Sequence, residues 1–256
     1  MEQKALKKTI KDFISEKLSL EKRVKDLKNK FNNGDRHPFL ISLTGGDDDI
    51  AFKGKVAHSI YTSFGMSFYE QLCALLASNN GYEVETQKKI LGSCNSEVEK
   101  LILSIILQKD YQPNREKELQ KLRNIVTPGE AREMAHSTVD VYIKTPEKKE
   151  ILIDITTVKN NKKSFISLKQ KILRWTAMRL SQDINSDIEA YFAIPYNPYS
   201  KIIENTDYTN PFSKWVDRKD ILVGDELWKK VSNNKIGIKD INEVFIELSR
   251  EINFSI

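Results

Sequence analysis

The fold class is decided by two neighbouring segments, Val139-Asp140-Val141-Tyr142-Ile143 and Glu150-Ile151-Leu152-Ile153-Asp154-Ile155-Thr156-Thr157. The first segment alternates in the manner of a half-buried strand, and the second is mostly apolar and rich in β-branched residues, which favours a buried strand. Thr145-Pro146-Glu147-Lys148 lies between them and has the composition of a turn. The two segments are therefore predicted to form a β-hairpin.

Further elements are predicted on both sides of this hairpin. Downstream, Ser164–Ser181 has the apolar spacing of a helix, and Ile188–Ile194 reads as a third strand. Upstream, amphipathic patterns predict several more helices. The order helix–strand–strand–helix–strand predicts an α/β fold in which helices flank a mixed β-sheet.

The N-terminal region carries its own signal. Residues 4–32 are predicted to form one long amphipathic helix with an apolar stripe of heptad spacing, formed by Leu6, Ile10, Phe13, Leu20, Val24, Leu27 and Phe31. This stripe would form a coiled coil with a partner subunit or pack along the chain's own domain. We expect residues 1–36 to form this arm, for dimerisation or docking, and residues 37–256 to form a single domain with a core at about 60–200.

Length and composition exclude several classes of protein. The 256 residues contain no apolar run near the ~20 residues of a membrane-spanning helix. Met1 leads into charged residues with no secretory signal, and only two cysteines occur, so we expect a cytoplasmic protein without a disulfide framework. No P-loop signature is present, and no nucleotide cofactor is expected.

The positive charge is unevenly distributed along the chain. The formal net charge is +5, and the stretch from Ile155 to Gln182 contains seven basic residues and no acidic one. Such a stretch is suited to a polyanion such as nucleic acid. A solvated helix face is an equally good interpretation from charge alone.

Asp140 and Asp154 are the candidate catalytic residues of the hairpin. Each interrupts an apolar strand, where an unpaired charge is costly. Two carboxylates on neighbouring strands can hold Mg²⁺, and a nearby lysine can orient the water that attacks a phosphodiester. Alternatively, both lie at strand ends and form hydrogen bonds or salt bridges with Lys148, Lys149 or Lys159.

A family resemblance rests on these residues. Ser137-Thr138-Val139-Asp140, followed by Ile153–Lys162, resembles the PD-(D/E)xK nuclease motif. The segments Thr62–Glu70, Ala193–Tyr199 and Leu222–Trp228 resemble the type II restriction endonucleases that cut GGNCC sites. The resemblance implies a restriction-endonuclease-like core, Mg²⁺ dependence, a homodimer, and cleavage of double-stranded DNA at a short palindromic site within a restriction-modification system.

The chain departs from the motif at one position. Thr156 stands where acid-x-Lys requires lysine, two residues after Asp154. In a second register the half-motif is Thr157-Val158-Lys159, and a β-bulge at Thr156-Thr157 would bring Lys159 to the side of Asp154. We hypothesise that Lys159 is the catalytic ammonium, with lysines of the next helix, Lys169 and Lys171, as reserves.

Other residues are assigned around this site. Glu70 is predicted either as a third metal-binding carboxylate or as the partner of Ser67 in a helix capping box. Trp175 is predicted to belong to the core. We predict contacts to DNA from Lys162, Lys163, Lys169, Gln170, Lys171, Arg174, Tyr196 and Asn197, although the prolines around Asn197 favour a turn.

Three functions are compatible with the sequence. The first is a Mg²⁺-dependent type II restriction endonuclease. The second is a structure-selective repair nuclease or junction resolvase of the same fold. The third is a catalytically degenerate DNA-binding protein, which the missing lysine at position 156 would explain.

Overall fold

The structure is a computed structural model, and it describes residues 2–108, 110–156, 159–211 and 213–251. The chain divides into two compact units. One comprises Met1–Leu72 and Asp240–Ile256, and the other comprises Cys73–Lys239. In the described ranges, no helix has both the length and the apolarity needed to cross a membrane.

The helices are, in chain order, α1 (Glu2–Leu18), α2 (Leu20–Asn32), α3 (Pro38–Leu43), α4 (Asp48–Ser63), α5 (Met66–Ser78), α6 (Ser96–Leu107), α7 (Arg115–Ile125), α8 (Lys162–Gln182), α9 (Asp225–Val231) and α10 (Ile238–Arg250). The strands are β1 (Glu83–Gly92), β2 (Arg132–Lys144), β3 (Glu150–Ile155), β4 (Ile188–Ile194) and β5 (Ile221–Val223). Short 3-10 turns cover Ser213–Trp215 and Arg218–Asp220.

The strands form a mixed sheet in the order β1-β2-β3-β4-β5. β1, β2 and β3 are antiparallel neighbours, whereas β3, β4 and β5 run parallel. The predicted hairpin is confirmed, since Tyr142 pairs with Leu152 and Ile143 with Ile151. The predicted α/β class, a mixed sheet flanked by helices, is therefore confirmed.

Helix α8 packs against one face of this sheet. Phe165 and Trp175 of α8 are fully buried in the same core cluster as Leu152 and Phe192. The indole N–H of Trp175 donates a 2.8 Å hydrogen bond to the carbonyl of His136, which satisfies its polar atom inside the core. Trp175 is thus a core residue, as predicted.

Helix and sheet touch through their backbones at Gly92, the last residue of β1. A Cβ atom at this position would lie 2.2 Å from the carbonyl oxygen of Met178 in α8. Only glycine leaves room for this approach, so the contact sets how closely α8 lies on the sheet.

The long N-terminal helix is interrupted once. Ser19 has a left-handed backbone conformation (φ 43°) between α1 and α2, and its hydroxyl donates to the carbonyl of Glu16. The apolar side of α1 consists of residues spaced by four, which the chain itself buries: Leu6, Ile10, Ile14 and Leu18. Leu6, Ile10, Val24 and Phe31 of the predicted stripe are buried within the chain, and pairing with a partner subunit remains a prediction.

Candidate active site

The two strand aspartates lie next to each other at one end of the hairpin. The register pairs Val141 with Ile153, and continued by one residue it places Asp140 opposite Asp154. Residues directly opposite on antiparallel strands share a face, with Cβ atoms about 5 Å apart. Side chains alternate along a strand, so both aspartates share the face of Leu152, toward α8.

The Asp140 carboxylate is held by two hydrogen bonds. Its Oδ2 accepts from the backbone N–H of Ile155 at 2.7 Å, and its Oδ1 accepts from Nε2 of Gln87 at 3.1 Å. Gln87 stands opposite Asp140 on β1 and has a positive φ of 52°. Gln87 was not among the predicted site residues, since a single polar residue in this segment carries no distinct sequence signal.

The Asp154 carboxylate is 6% exposed and pairs with a lysine of α8. The ammonium of Lys171 forms a salt bridge with Asp154 Oδ1. The same ammonium lies 5.2 Å from the ring centroid of Trp175, and the Lys171 side chain remains 24% exposed. An acid, an opposing acid and an ammonium are thus gathered at one end of the sheet.

The segment after β3 is held by side-chain hydrogen bonds. The hydroxyl of Thr156 donates to Oδ1 of Asn160 at 3.0 Å, and Asn210 Nδ2 donates to the carbonyl of Asn160 at 2.9 Å. Lys159 is exposed. Thr157 and Val158 lie outside the described residues, so the proposed bulge and the second register of the motif remain predictions.

The donor set fits a hard divalent cation. Mg²⁺ is bound by one or two carboxylates together with water and substrate phosphate oxygens, and Asp140 with Asp154 supplies two carboxylates on adjacent strands. The described residues contain no group of three His, Cys, Asp or Glu that could hold a metal alone. Glu70 is buried in α5, in the other compact unit, and its role as a third ligand remains a prediction.

The start of α8 presents the basic side chains to solvent. Lys162 and Lys163 are exposed there, and the Lys162 ammonium lies 4.7 Å from the Trp215 ring centroid. Asn161 caps the helix by accepting from the N–H of Ser164 at 2.9 Å. Gln170, one residue before Lys171, is half-buried. These positions remain our candidates for contact with a phosphate backbone.

Two other residues predicted to bind DNA have protein partners instead. Lys169 is 1% exposed and pairs with Glu118 of α7 and with Asp220, the latter at 2.8 Å. Arg174 forms a two-point salt bridge with Glu99 of α6, at 3.1 and 2.8 Å. Two of the basic side chains of α8 therefore form salt bridges that hold α6 and α7 in place.

Burial affects the ionisation of the Glu118 carboxyl, which pairs with Lys169. Desolvation raises the pKa of the Glu118 carboxyl, and the neighbouring Lys169 opposes that effect. The Tyr111 hydroxyl donates to Glu118 at 3.1 Å. An ion pair this deep is costly to break, because its remaining member would be left charged and unpaired.

The last two residues predicted to bind DNA, Tyr196 and Asn197, lie in the loop after β4 and differ in exposure. Asn197 is buried, and its Nδ2 donates to the carbonyls of Asn205 and Asp207 at 3.0 and 2.9 Å. It also accepts from the N–H of Tyr199, so the structure places Asn197 in a turn. Tyr196 is 39% exposed and stands at the surface of this loop.

The family model and the two relatives that match this chain are all type II restriction enzymes. The family model described as "Type II restriction endonuclease, HinfI" matches residues 2–249. The chain is 25% identical over 202 residues to the type II restriction enzyme MjaII of Methanocaldococcus jannaschii, covering 75% of this chain and 54% of the relative. It is 24% identical over 239 residues to the type II restriction enzyme HgiCII of Herpetosiphon aurantiacus, covering 88% and 80%.

These coverages differ between the relatives. The chain spans about half of the length of MjaII and most of that of HgiCII. No solved structure matches the chain.

Proposed function

This chain belongs to the HinfI family of type II restriction endonucleases, and from that membership we propose that it is a Mg²⁺-dependent enzyme that hydrolyses double-stranded DNA at a short palindromic site. The recognition sequence that we propose is GGNCC-like, from the resemblance of three sequence segments. The proposal includes a homodimer, since a two-fold site is matched by a two-fold protein.

The observation that carries the proposal is the placement of Asp140 and Asp154. They face each other across β2 and β3, and the ammonium of Lys171 adjoins the second of them. Asp154 is buried and Asp140 is half-buried, and a carboxylate withdrawn from water is costly unless it is paired. Binding of a divalent cation and a phosphodiester would give these charged side chains a function in addition to their effect on stability.

Each residue has a defined task in the proposed mechanism. Asp140 and Asp154 would hold the cation, and the hydrogen bonds from Ile155 and Gln87 keep the Asp140 carboxylate oriented for it. A bound divalent cation lowers the pKa of a water ligand and stabilises the charge that develops at phosphorus. The exposed Lys162 and Lys163 would bind neighbouring phosphates and fix the register of the duplex.

The N-terminal arm has a smaller place in this proposal. Its apolar stripe in α1 is covered by the chain itself. The docking or dimerisation role of residues 1–36 would therefore depend on their exposed side chains, and it remains a prediction. Analytical ultracentrifugation of the protein, alone and with DNA, measures whether two chains assemble.

The test of the function is a digest. Purified protein is incubated with plasmid DNA and Mg²⁺, with EDTA as the control, and the ends of the fragments are sequenced. Discrete fragments with one shared terminal sequence support the proposal, and that sequence tests the GGNCC-like site directly. Smeared or nicked products without a shared sequence would favour a repair nuclease or junction resolvase.

One observation favours a second candidate, a catalytically degenerate DNA-binding protein. Thr156 occupies the position at which the motif has lysine, and its hydroxyl is used in a bond to Asn160. DNA binding with no cleavage at any Mg²⁺ concentration would support this candidate and contradict the enzyme.

A further inference from the structure

The position that should carry the motif lysine cannot supply a charge. Thr156 follows Asp154 by two residues and lies one residue beyond the end of β3. Its hydroxyl donates to Asn160, whose carbonyl in turn accepts from Asn210. The Thr156 side chain is therefore engaged with Asn160, and position 156 supplies no ammonium to the site.

An ammonium reaches the same carboxylate from a different element. Lys171 is the tenth residue of α8, in its third turn, and its Nζ forms a salt bridge with Asp154 Oδ1. It borders Trp175, which is fixed by its hydrogen bond to the carbonyl of His136. The ammonium is thus confined on its protein side, while about a quarter of its side chain is open to solvent.

We propose that Lys171 is the catalytic lysine of this site and that it replaces, from helix α8, the lysine missing at position 156. This inference rests on the proposed function and deepens it. Lys171 is chosen over Lys159 because its ammonium forms the salt bridge with Asp154, whereas the Lys159 side chain is exposed. Lys169, on the same helix, is fully buried between Glu118 and Asp220.

The chemistry follows from charge. With no cation bound, the ammonium neutralises a carboxylate that is mostly buried. A divalent cation held by Asp154 would repel the ammonium, and the lysine side chain would then be able to reach a phosphate oxygen of the substrate. There the ammonium donates hydrogen bonds and stabilises the transition state without gaining or losing a proton.

The test moves the ammonium between the two elements. Single-turnover cleavage of plasmid DNA is measured for Lys171→Ala, for Lys159→Ala, and for Lys171→Ala combined with Thr156→Lys. Combining Lys171→Ala with Thr156→Met gives a matched control of similar length without charge. Lys100→Ala, an exposed lysine of α6, controls for the loss of one positive charge.

We expect Lys171→Ala to lower the cleavage rate about 100-fold. Thr156→Lys in that background should restore at least a tenth of the wild-type rate, about 10-fold above the Met control. Binding of DNA in Ca²⁺, measured by fluorescence anisotropy, should stay within about 3-fold of wild type, because a single phosphate contact contributes little to total affinity. If Lys171 had only a structural role, a lysine at position 156 would not restore the cleavage rate.

Several outcomes overturn the inference and leave the proposed function intact. Cleavage by Lys171→Ala within 3-fold of the wild-type rate is one, and a 100-fold loss in Lys159→Ala alone is another. Joint loss of cleavage and Ca²⁺-dependent binding in Lys171→Ala, with equal rates for Lys and Met at 156, assigns Lys171 to structure. A wild-type protein that cleaves no DNA overturns the proposed function, and the inference with it.

Discussion

Oδ2 of Asp140 accepts a 2.7 Å hydrogen bond from the backbone N–H of Ile155, the residue that follows Asp154. A side chain of β2 is thereby tied to the end of β3, where the ladder between the two strands stops. The bond satisfies a backbone donor and at the same time orients one oxygen of the carboxylate. It makes the relative position of the two aspartates a property of the hairpin itself.

Asp140→Asn and Asp154→Asn should each reduce cleavage at least about 100-fold, because a neutral amide is a poor ligand for Mg²⁺. Binding of DNA in Ca²⁺ should be retained or become tighter, since a negative charge near phosphate is removed. Plasmid cleavage and anisotropy measure the two effects. Asp187→Asn, at a 64% exposed side chain, is the matched control, and cleavage near the wild-type rate in either site variant would contradict the proposed ligands.

Gln87→Gly should reduce cleavage about 10-fold and raise the Mg²⁺ concentration needed for half-maximal rate, since groups that orient metal ligands typically contribute this much. Glycine suits the positive φ of this position, so the variant removes the amide without adding backbone strain. A titration of the rate against Mg²⁺ makes the measurement. Lys89→Ala, two residues further along β1, should leave both quantities unchanged. An unchanged Mg²⁺ requirement in Gln87→Gly would show that the bond to Asp140 has no orienting role.

Lys169→Met should lower the free energy of unfolding by about 3–5 kcal/mol, because Glu118 and Asp220 would remain buried without their cation. Lys219→Met, which breaks the exposed pair with Glu116, should change the free energy of unfolding far less. Urea unfolding of both variants gives the comparison. Equal costs in the two would mean that the buried cluster is solvated in solution.

Replacing Lys162 and Lys163 with alanine should weaken DNA binding on all sequences alike. Each phosphate contact that is lost should reduce the slope of log affinity against log salt by about 1. The slope is obtained from binding curves at several salt concentrations, with Lys100→Ala as the comparison. An unaltered slope would assign these lysines to a solvated helix face.

Glu189 should give the protein a stability that is lost in acid. Burial raises the pKa of this carboxyl, but the hydrogen bond and charge of Lys230, with contacts from Lys149 and Tyr191, lower it to about 2. An acid whose pKa is depressed by folding stabilises the native state above its ordinary pKa, near 4.5, and loses that contribution as the pH falls toward about 2.

Glu189→Gln should therefore be less stable than wild type at pH 6, and the difference should shrink between pH 4.5 and pH 3. Urea unfolding at a series of pH values measures it. A difference that is constant with pH would mean that the charge of Glu189 contributes nothing to folding.

Local patterns predicted the elements of the sheet well. The hairpin, β4 and α8 match the segments whose apolar alternation or spacing indicated them, because such patterns depend on residues near in sequence. The turn at Ser19 was not visible, since the apolar spacing continues through it and a serine with positive φ has no distinct sequence signal.

The roles of the α8 lysines could not be predicted in the same way. Lys169 and Lys171 are two residues apart in one basic segment, yet one is buried with Glu118 and Asp220 and the other reaches Asp154. Their partners lie 51 and 17 positions away in sequence. Only the packing of α8 on the sheet decides which lysine meets which acid.

That packing depends on Gly92, two helical turns from the level of Lys171. A methyl group at this residue would collide with the backbone of Met178 and lift the C-terminal half of α8 away from β1. A rigid helix acts as a lever, so a displacement at one end changes the angle at which the other end meets β3. The lack of a side chain at Gly92 thus governs how far the ammonium of Lys171 reaches toward an acid on another strand.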